Sequence, residues 1–387
     1  MATVCFAWEI GEGLGHLKKI QILGQGLEAR GHRIVVIAKA LRSVRPILPA
    51  HWPVFQAPIH RDAPGEQGGR RQTPTYAHIL AKIGYRSPES LRPLVDGWTT
   101  LFEVIRPDLV ICETSPTAGL AARGRWPVVH VSNGHTLPPD HSPYFKTLVT
   151  GVEWRQGHDR VCKAVQEVLR DTDRPAISAL PEIFSGELRI IDTLPEIDRY
   201  HEIRRDPLVG VLEELPEPSS SRMLKQVFAY LTPAYTQMEP LCEAIAWHAD
   251  RMSVYFSGGT CPVGTFLRTR GATVHDAPQP FTQIMPASRV ILSHATMQTT
   301  LSALAAGRPH IMLPRHQEAE TTAAIAEDLG VGCRLTEISP AGLQSAIEHV
   351  CGHVADDRIM GLAEDIYDRR YGEFKHRCVD AIEELVV

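Results

Sequence analysis

A group of polar residues follows one short apolar strand in the last third of the chain. Residues 289–292 form the strand, His294 follows at its carboxyl end, and four polar residues then open a helix: Thr296, Gln298, Thr299 and Thr300. Ligands of open α/β sheets bind outside the carboxyl ends of the strands, and the start of a helix offers unpaired N–H groups and a positive dipole to an anion. This pattern therefore predicts a phosphate ligand.

A purely structural interpretation of the same residues stays open. His294 and the threonines can form a polar strand-to-helix turn with an N-cap, which is common in any α/β protein. The short motif alone favours that interpretation. Further features in register between Pro278 and Gly332 favour a ligand site instead.

These further features occur in a recognisable order. They are Pro278-Gln279, His294, Thr299-Thr300, Ala306-Gly307-Arg308-Pro309, Pro314, Glu318 and Ala323. The order resembles the C-terminal half of GT-B glycosyltransferases, in the nucleotide-sugar-dependent family that includes plant, macrolide and glycopeptide enzymes. The resemblance implies a donor site in which the diphosphate is held by His294, Thr296, Gln298 and Thr299. It also implies that Gln279 borders the nucleoside and that Glu318 binds sugar or ribose hydroxyls.

The chain departs from the pattern of that family at its glycines. Ala295 and Thr296 stand where two glycines are usual, and Gln298 stands where the third is. Ala319 and Thr322 likewise replace a common Gln and Asn. The added Cβ atoms occupy space where the family lets its backbone approach the diphosphate closely. We expect the hydroxyl and amide groups of the new side chains to supply replacement hydrogen-bond donors.

A second glycine-rich turn follows the first predicted strand. The segment from Gly11 to Gly15 runs GEGLG and is followed by His16 and a helix, which resembles the Gly-His turn of the same family. The resemblance implies that His16 is the general base for the acceptor hydroxyl, since imidazole titrates near neutral pH. It also implies that an acid near the fourth strand orients this base, and Glu113 ends that strand here. The alternatives are a helix-start histidine and a solvated strand-end glutamate.

Other polar loops carry weaker signals. The resemblance implies that Thr232 and Gly258, which follow the first two strands of the second half, contact the donor diphosphate. Asn133 and His135 follow the fifth strand and are expected to shape the acceptor pocket, although a polar loop with satisfied histidines fits them as well. The glycine spacing before His16 also suggests a dinucleotide site, but the second strand ends in Lys39 without the acid that such sites use for the ribose.

Composition limits the class of protein. A chain of 387 residues with 43% hydrophobic residues is long enough for two cores, and its net charge of −5 gives no reason to expect nucleic acid as a partner. Eight scattered cysteines without a CxxC pair predict reduced thiols in a cytoplasmic protein without a metal site. No apolar run is long enough for a transmembrane segment. Homo-oligomerisation stays possible.

Alternating strand and helix patterns in both halves predict an α/β protein. We expect the GT-B fold, in which two Rossmann-like domains face each other across a cleft. The expected divisions are 1–206 for the acceptor-binding domain, 207–222 for a linker, and 223–371 for the nucleotide-sugar-binding domain. Residues 372–387 are expected to form a helix that crosses back to the first domain.

The predicted activity is glycosyl transfer from a nucleoside diphosphate sugar, such as a UDP or dTDP sugar, to an acceptor hydroxyl or similar nucleophile. We expect inversion at the transferred carbon, no cofactor and no catalytic metal, in natural product or glycoconjugate biosynthesis. One rival is a sugar-nucleotide epimerase or hydrolase of the same fold. The other is a non-catalytic binding or partner protein, suggested by the missing glycines.

Overall fold

The chain forms two compact α/β units. The computed structural model describes residues 1–11, 14–60, 75–147, 155–220, 226–352, 356–369 and 373–386. The first unit comprises Met1–Glu213 together with Glu373–Val387, and the second comprises Glu214–Gly372. Residues 221–225 and 370–372, where two of the expected domain boundaries fall, lie outside the described residues.

The first unit contains a seven-stranded parallel sheet with the order β3-β2-β1-β4-β5-β6-β7. Its strands are β1 (Thr3–Trp8), β2 (Arg33–Ala38), β3 (Val54–Gln56), β4 (Leu109–Glu113), β5 (Val128–Asn133), β6 (Leu188–Asp192) and β7 (Leu208–Gly210). The helices up to residue 171 are α1 (Leu14–Glu28), α2 (Leu41–Val44), α3 (Tyr76–Lys82), α4 (Pro88–Ile105), α5 (Pro116–Ala122) and α6 (Arg155–Asp171).

The central strands of this sheet are apolar because helices cover both faces. In β1, Cys5 and Ala7 belong to a core that also contains residues of α3 to α6, whereas Val4, Phe6 and Trp8 belong to a core formed with α1. Successive side chains of a strand point to opposite faces, so a strand covered on both sides reads as a continuous apolar run. Polar groups of such a sheet are expected at its edges and strand ends, and His130 of β5 and Arg189 of β6 are buried exceptions.

The second unit repeats the arrangement with six parallel strands in the order β10-β9-β8-β11-β12-β13. They are β8 (Val227–Leu231), β9 (Met252–Phe256), β10 (Thr273–His275), β11 (Val290–Ser293), β12 (His310–Met312) and β13 (Gly332–Arg334). The helices are α7 (Met238–Trp247), α8 (Pro262–Thr269), α9 (Phe281–Ile284), α10 (Met297–Ala305), α11 (Gln317–Asp328), α12 (Pro340–Gly352) and α13 (Asp356–Asp368).

The structure differs from the sequence expectation at short strands. The division between the units follows Glu213, so β7, which fell within the expected linker, is instead an edge strand of the first sheet. The three-residue strand β13 was not expected. Strands this short are defined by the neighbour that they pair with, because three residues carry too little periodicity to identify them. Within the described residues, we find no helix of the length and apolarity that crossing a bilayer requires.

The last helix, α14 (Phe374–Glu383), packs in the core of the first unit. Phe374 and Ile382 are buried in the same core as α1. A Cβ atom on Gly210 would lie 2.5 Å from the Phe374 ring, so only glycine allows the helix to approach β7 this closely. Polar contacts at the rim join Arg30 to the carboxylate of Asp380. The end of the chain therefore contributes to the stability of the first unit.

We predict that Ile382→Ala lowers the free energy of unfolding of the first unit by about 2–5 kcal/mol, the range for truncating a buried aliphatic side chain. Denaturant unfolding followed by tryptophan fluorescence measures this, in a Trp247→Phe background that removes the tryptophan of the second unit. Asp380→Ala is the matched control on the same helix, because its side chain is 60% exposed, and should change stability much less. Equal effects of the two variants would contradict the packing described here.

Candidate functional site

Pairing of β1 with β4 brings together two residues that are far apart in sequence. The parallel register sets Trp8 opposite Glu113 at the carboxyl ends of the strands. The chain leaves β1 through Gly11, whose φ of +92° favours glycine, and enters α1. Nδ1 of His16 then lies 2.7 Å from Oε2 of Glu113. The structure thus joins the two residues that the sequence suggested as base and orienting acid.

The environment of this pair fixes the orientation of the ring. The Glu113 side chain is fully buried and that of His16 is 12% exposed. The Trp8 ring stacks on the imidazole, with centroids 5.6 Å apart and an angle of 21° between planes. A Cβ atom on Gly11 would lie 2.1 Å from Nε2, so any larger residue there would displace the ring. With Nδ1 donating to the carboxylate, Nε2 is the nitrogen that can accept a proton.

The Glu113 carboxylate has a second neighbour, a charged amine, that the sequence analysis missed. Nζ of Lys19 lies 3.8 Å from Oε1 of Glu113 and 3.5 Å from Oδ2 of Asp192, which ends β6. Burial raises the pKa of Asp192, while the nearby Lys19 acts in the opposite direction. The available signals were a lysine three residues after His16, next to Ile20 on the buried side of α1, and an acid at the end of an apolar strand.

Glu113 is followed by a residue in an unusual conformation. Thr114 has a φ of +44°, which is rare for a β-branched residue, and it is almost fully buried. Its hydroxyl donates to Oε1 of Glu113 at 3.2 Å and contacts the Ser132 hydroxyl at 2.6 Å. The turn at Thr114 therefore orients the Glu113 carboxylate and also places the Thr114 hydroxyl where it donates a hydrogen bond to that carboxylate. Strained residues of this kind concentrate at functional sites.

A further buried carboxylate lies at the end of β1 but serves a different element. Glu9 accepts hydrogen bonds from the backbone N–H and the hydroxyl of Thr117 in the first turn of α5. Burial raises the pKa of Glu9 to about 7, and the hydrogen bonds from Thr117 oppose that rise. We interpret Glu9 as a residue that fixes the start of α5 beneath the site.

In the second unit, His294 links three strand ends. Its Nδ1 donates to the carbonyl oxygen of Leu313, after β12, at 2.9 Å. Its Nε2 accepts from the N–H of Thr232, after β8, at 3.2 Å. Burial lowers the pKa of His294 to about 4, which agrees with a neutral ring in this arrangement. Both ring nitrogens are therefore used within the unit, and a direct contact with phosphate, as expected from the sequence, requires one of these bonds to exchange.

The start of α10 shows how the chain forms this turn without the usual glycines. Ala295 takes a left-handed conformation with φ of +53° and is fully buried, and its N–H donates to the Ser293 hydroxyl at 3.1 Å. Thr296 is the N-cap with φ of −65°, which any residue can adopt, and its side chain is exposed. Its hydroxyl contacts that of buried Thr299 at 2.8 Å. Of the positions where the family usually has glycine, Ala295 is thus the one whose backbone conformation favours glycine.

The remaining donor candidates follow neighbouring strands of the same sheet. Gly258 follows β9 with φ of +95° and has open space where a Cβ would stand. The Gln279 amide donates to the carbonyl oxygen of Ala277 at 2.9 Å. Gln298 lies in the first turn of α10 and Glu318 in that of α11, and both are half-buried. Since these helices and loops follow parallel strands, the candidates collect at the carboxyl edge of the sheet.

Of the two acceptor candidates, Asn133 is hydrogen-bonded to its own loop and His135 is buried. Asn133 ends β5, and its side-chain oxygen accepts from the backbone N–H groups of His135 and Thr136 at 3.0 and 2.8 Å. His135 itself is 4% exposed. This geometry shapes the loop after β5, and a role in acceptor binding stays a prediction. Among the residues that the structure describes, no group of three or more His, Cys, Asp or Glu side chains is arranged to hold a metal ion.

Comparison with known proteins identifies the fold. No protein-family profile matches the chain, and no curated protein sequence matches it. Solved structures do match over nearly the whole chain. The structure of CalG4, the calicheamicin glycosyltransferase, has a TM-score of 0.72 at 19% identity, covering 100% of this chain and 98% of the other.

Two similar structures contain ligands. SsfS6, the glycosyltransferase of Streptomyces sp. SF2575 complexed with thymidine diphosphate, gives a TM-score of 0.59 at 18% identity, covering 95% of this chain and 96% of its own. The spinosyn rhamnosyltransferase SpnG complexed with spinosyn aglycone gives 0.62 at 14% identity with the same coverage. The two parallel α/β sheets and these similar structures together show that the chain has the GT-B fold.

Proposed function

We propose that this protein is a glycosyltransferase that moves a sugar from a nucleoside diphosphate sugar to a hydroxyl group of an acceptor. The observation that carries the proposal is the hydrogen-bonded pair of His16 and Glu113 at the carboxyl ends of β1 and β4 in a chain with the GT-B fold. A histidine whose Nδ1 is held by a buried carboxylate is suited to accept a proton at Nε2.

The first unit supplies the base in this proposal. The acceptor oxygen attacks the anomeric carbon of the sugar while the bond from that carbon to the diphosphate oxygen breaks, which inverts the carbon. The proton of the acceptor hydroxyl passes to Nε2 of His16. The Glu113 carboxylate stabilises the imidazolium that forms and holds the ring in the required tautomer. Buried Glu113 is more effective in this role than an exposed acid, because water screens it less.

The second unit supplies the donor site in this proposal. The nine-residue helix α10 offers the N–H groups of its first turn to the diphosphate, and exposed Thr296 adds a hydroxyl donor. Gln298 lies one residue into the helix and adds an amide. These fixed donors stabilise the negative charge that develops on the leaving diphosphate. His294 holds the loops after β8 and β12 around this helix start.

The ligands of similar structures suggest where to begin the search for substrates. SsfS6 was solved with thymidine diphosphate, which supports a thymidine diphosphate sugar as the first donor to test. SpnG was solved with spinosyn aglycone, which supports a natural product aglycone as the acceptor class. All eight cysteines are free thiols, which supports a cytoplasmic location.

We predict that Thr296→Val weakens the binding of thymidine diphosphate by about 1.5–3 kcal/mol, the range for losing a hydrogen bond to a charged group. Isothermal titration calorimetry measures this. Thr300→Val is the matched control, because Thr300 lies on the same helix, is 2% exposed, and its hydroxyl has no hydrogen-bond partner among the described residues. Equal affinity of the Thr296 variant and the wild type would place the diphosphate elsewhere.

We also predict that His16→Ala lowers kcat by about 10²–10⁴-fold, the usual contribution of a general base, while the affinity for thymidine diphosphate stays the same. Glu113→Gln should lower kcat less, because it removes the charge but keeps a hydrogen-bonding side chain. The assay detects a product that contains both sugar and acceptor, using a panel of nucleotide sugars and aglycones. Full activity of His16→Ala would disprove the mechanism, and an isomerised or hydrolysed donor without transfer would disprove the proposed activity.

A further inference from the structure

Four ionisable side chains form a continuous row in the first unit. Nδ1 of His16 lies 2.7 Å from Glu113, Nζ of Lys19 lies 3.8 Å from the other oxygen of Glu113, and the same Nζ lies 3.5 Å from Asp192. The side chains are 12%, 0%, 10% and 5% exposed in the order His16, Glu113, Lys19, Asp192. Charges on side chains that are this deeply buried interact more strongly than charges on the protein surface, because water screens them less.

The charges of this row change in a simple way when the base works. With a neutral imidazole, two carboxylates and one ammonium group leave a net charge of −1. When His16 takes a proton, the net charge becomes zero. The row is therefore set up to favour proton uptake, provided that Glu113 stays ionised in its buried position. A buried carboxylate without a cation takes up a proton itself, because burial disfavours the charged form.

We propose that Lys19, held by Asp192, is a positioning residue whose ammonium group keeps Glu113 ionised and so controls how readily the His16–Glu113 pair accepts a proton. This inference rests on the proposed role of His16 as the base. It adds two residues, on α1 and β6, to a pair on α1 and β4. Asp192 is itself fixed, since its other oxygen accepts from the N–H of Leu212 at 2.9 Å.

Other titratable groups of the described chain face the same row. Glu213 interacts with Asp192 and with Lys19, and burial raises its pKa. The positive charge of Lys18 opposes this rise in the pKa of Glu213. The Lys18 amine donates a hydrogen bond to the Gln21 side chain at 3.1 Å. Cys378 of α14 faces Asp192, and burial raises its pKa to about 12, so its thiol stays neutral. Lys19 is thus the cation placed between the two carboxylates.

The proposal predicts opposite shifts for two substitutions. The hydrogen-bonded pair titrates as a unit, and its working form is the fully deprotonated one. Removing the positive charge with Lys19→Met makes the last proton harder to lose, so the pKa of the pair rises. Removing a negative charge with Asp192→Asn makes the last proton easier to lose, so the pKa falls. A simple loss of packing does not produce shifts of opposite sign.

The test is an NMR titration of the free protein labelled with isotopes in histidine, with the His16 signal identified by its loss in His16→Gln. We expect Lys19→Met to raise the titration midpoint by about one pH unit, the scale of a buried charge at this range. Asp192→Asn should lower it by a smaller amount, and Lys19→Arg should restore the wild-type value. Lys18→Met, which removes a cation from the same helix, is the control and should leave the midpoint unchanged.

Unchanged midpoints in both Lys19→Met and Asp192→Asn, or shifts of the same sign, would overturn the inference. Should Lys19→Met fail to fold, the other two variants test the inference. Asp192→Asn should then lower the titration midpoint, and Lys19→Arg should keep the wild-type midpoint. The titration needs no substrate, so its result does not depend on the proposed transferase activity. Where activity is found, the acid limb of kcat/KM should move in the same directions as the midpoints.

Discussion

The parallel pairing of β1 with β4 is the constraint on which the candidate site depends. It brings Glu113 to His16, which lies 97 positions earlier in the chain, because the register that pairs Val4 with Leu109 also sets Trp8 beside Glu113. Helix α1 begins at Leu14, so His16 lies in its first turn and contacts the carboxylate of Glu113. A slip of one residue would point Glu113 to the opposite face of the sheet. In β1 the small residues Cys5 and Ala7 face one core and the large residues Phe6 and Trp8 face the other, so a slip would exchange them and disrupt the packing of both cores.

The sequence predicted the architecture best for buried strands that are long enough to appear as a run of apolar residues. The sequence patterns at 33–38 and 273–275 predict two strands whose bounds are those of β2 and β10, and the strand predicted at 289–292 differs from β11 by one residue at each end. Strands β7 and β13 could not be predicted in the same way, because three residues become a strand only when a neighbour pairs with them. The order of polar residues in the second half was sufficient to suggest the GT-B fold.

The site was predictable in part. Residue types and a family resemblance suggested His16 and Glu113, which are adjacent in the structure. No family motif suggested Lys19, and a lysine in a helix normally faces solvent. Its role depends on contact with Asp192, which ends a strand and lies 173 residues later in the chain. The hydrogen bonds of His294 were equally hidden, because they depend on two backbone groups whose positions only the folded sheet defines.

The two units use the same backbone turn for different chemistry. The strand that pairs with the first strand of each unit, β4 beside β1 or β11 beside β8, leads into a left-handed residue, Thr114 or Ala295, and then into the N-cap of a helix. The side chain before the left-handed residue is Glu113 in one unit and His294 in the other. One turn directs a carboxylate to a ring nitrogen, and the other directs a ring to two backbone groups.

The alanine at position 295 affects the conformational freedom of the donor site that we propose for the second unit. A turn of two glycines is adaptable but must lose much conformational freedom when it closes on an anion. Ala295 and Thr296 restrict the chain in advance, so part of that loss occurs during folding rather than during binding. The strain of a left-handed alanine is the corresponding penalty, carried by the folded protein at all times. In the donor site that we propose, the departure from glycine thus exchanges adaptability for rigidity.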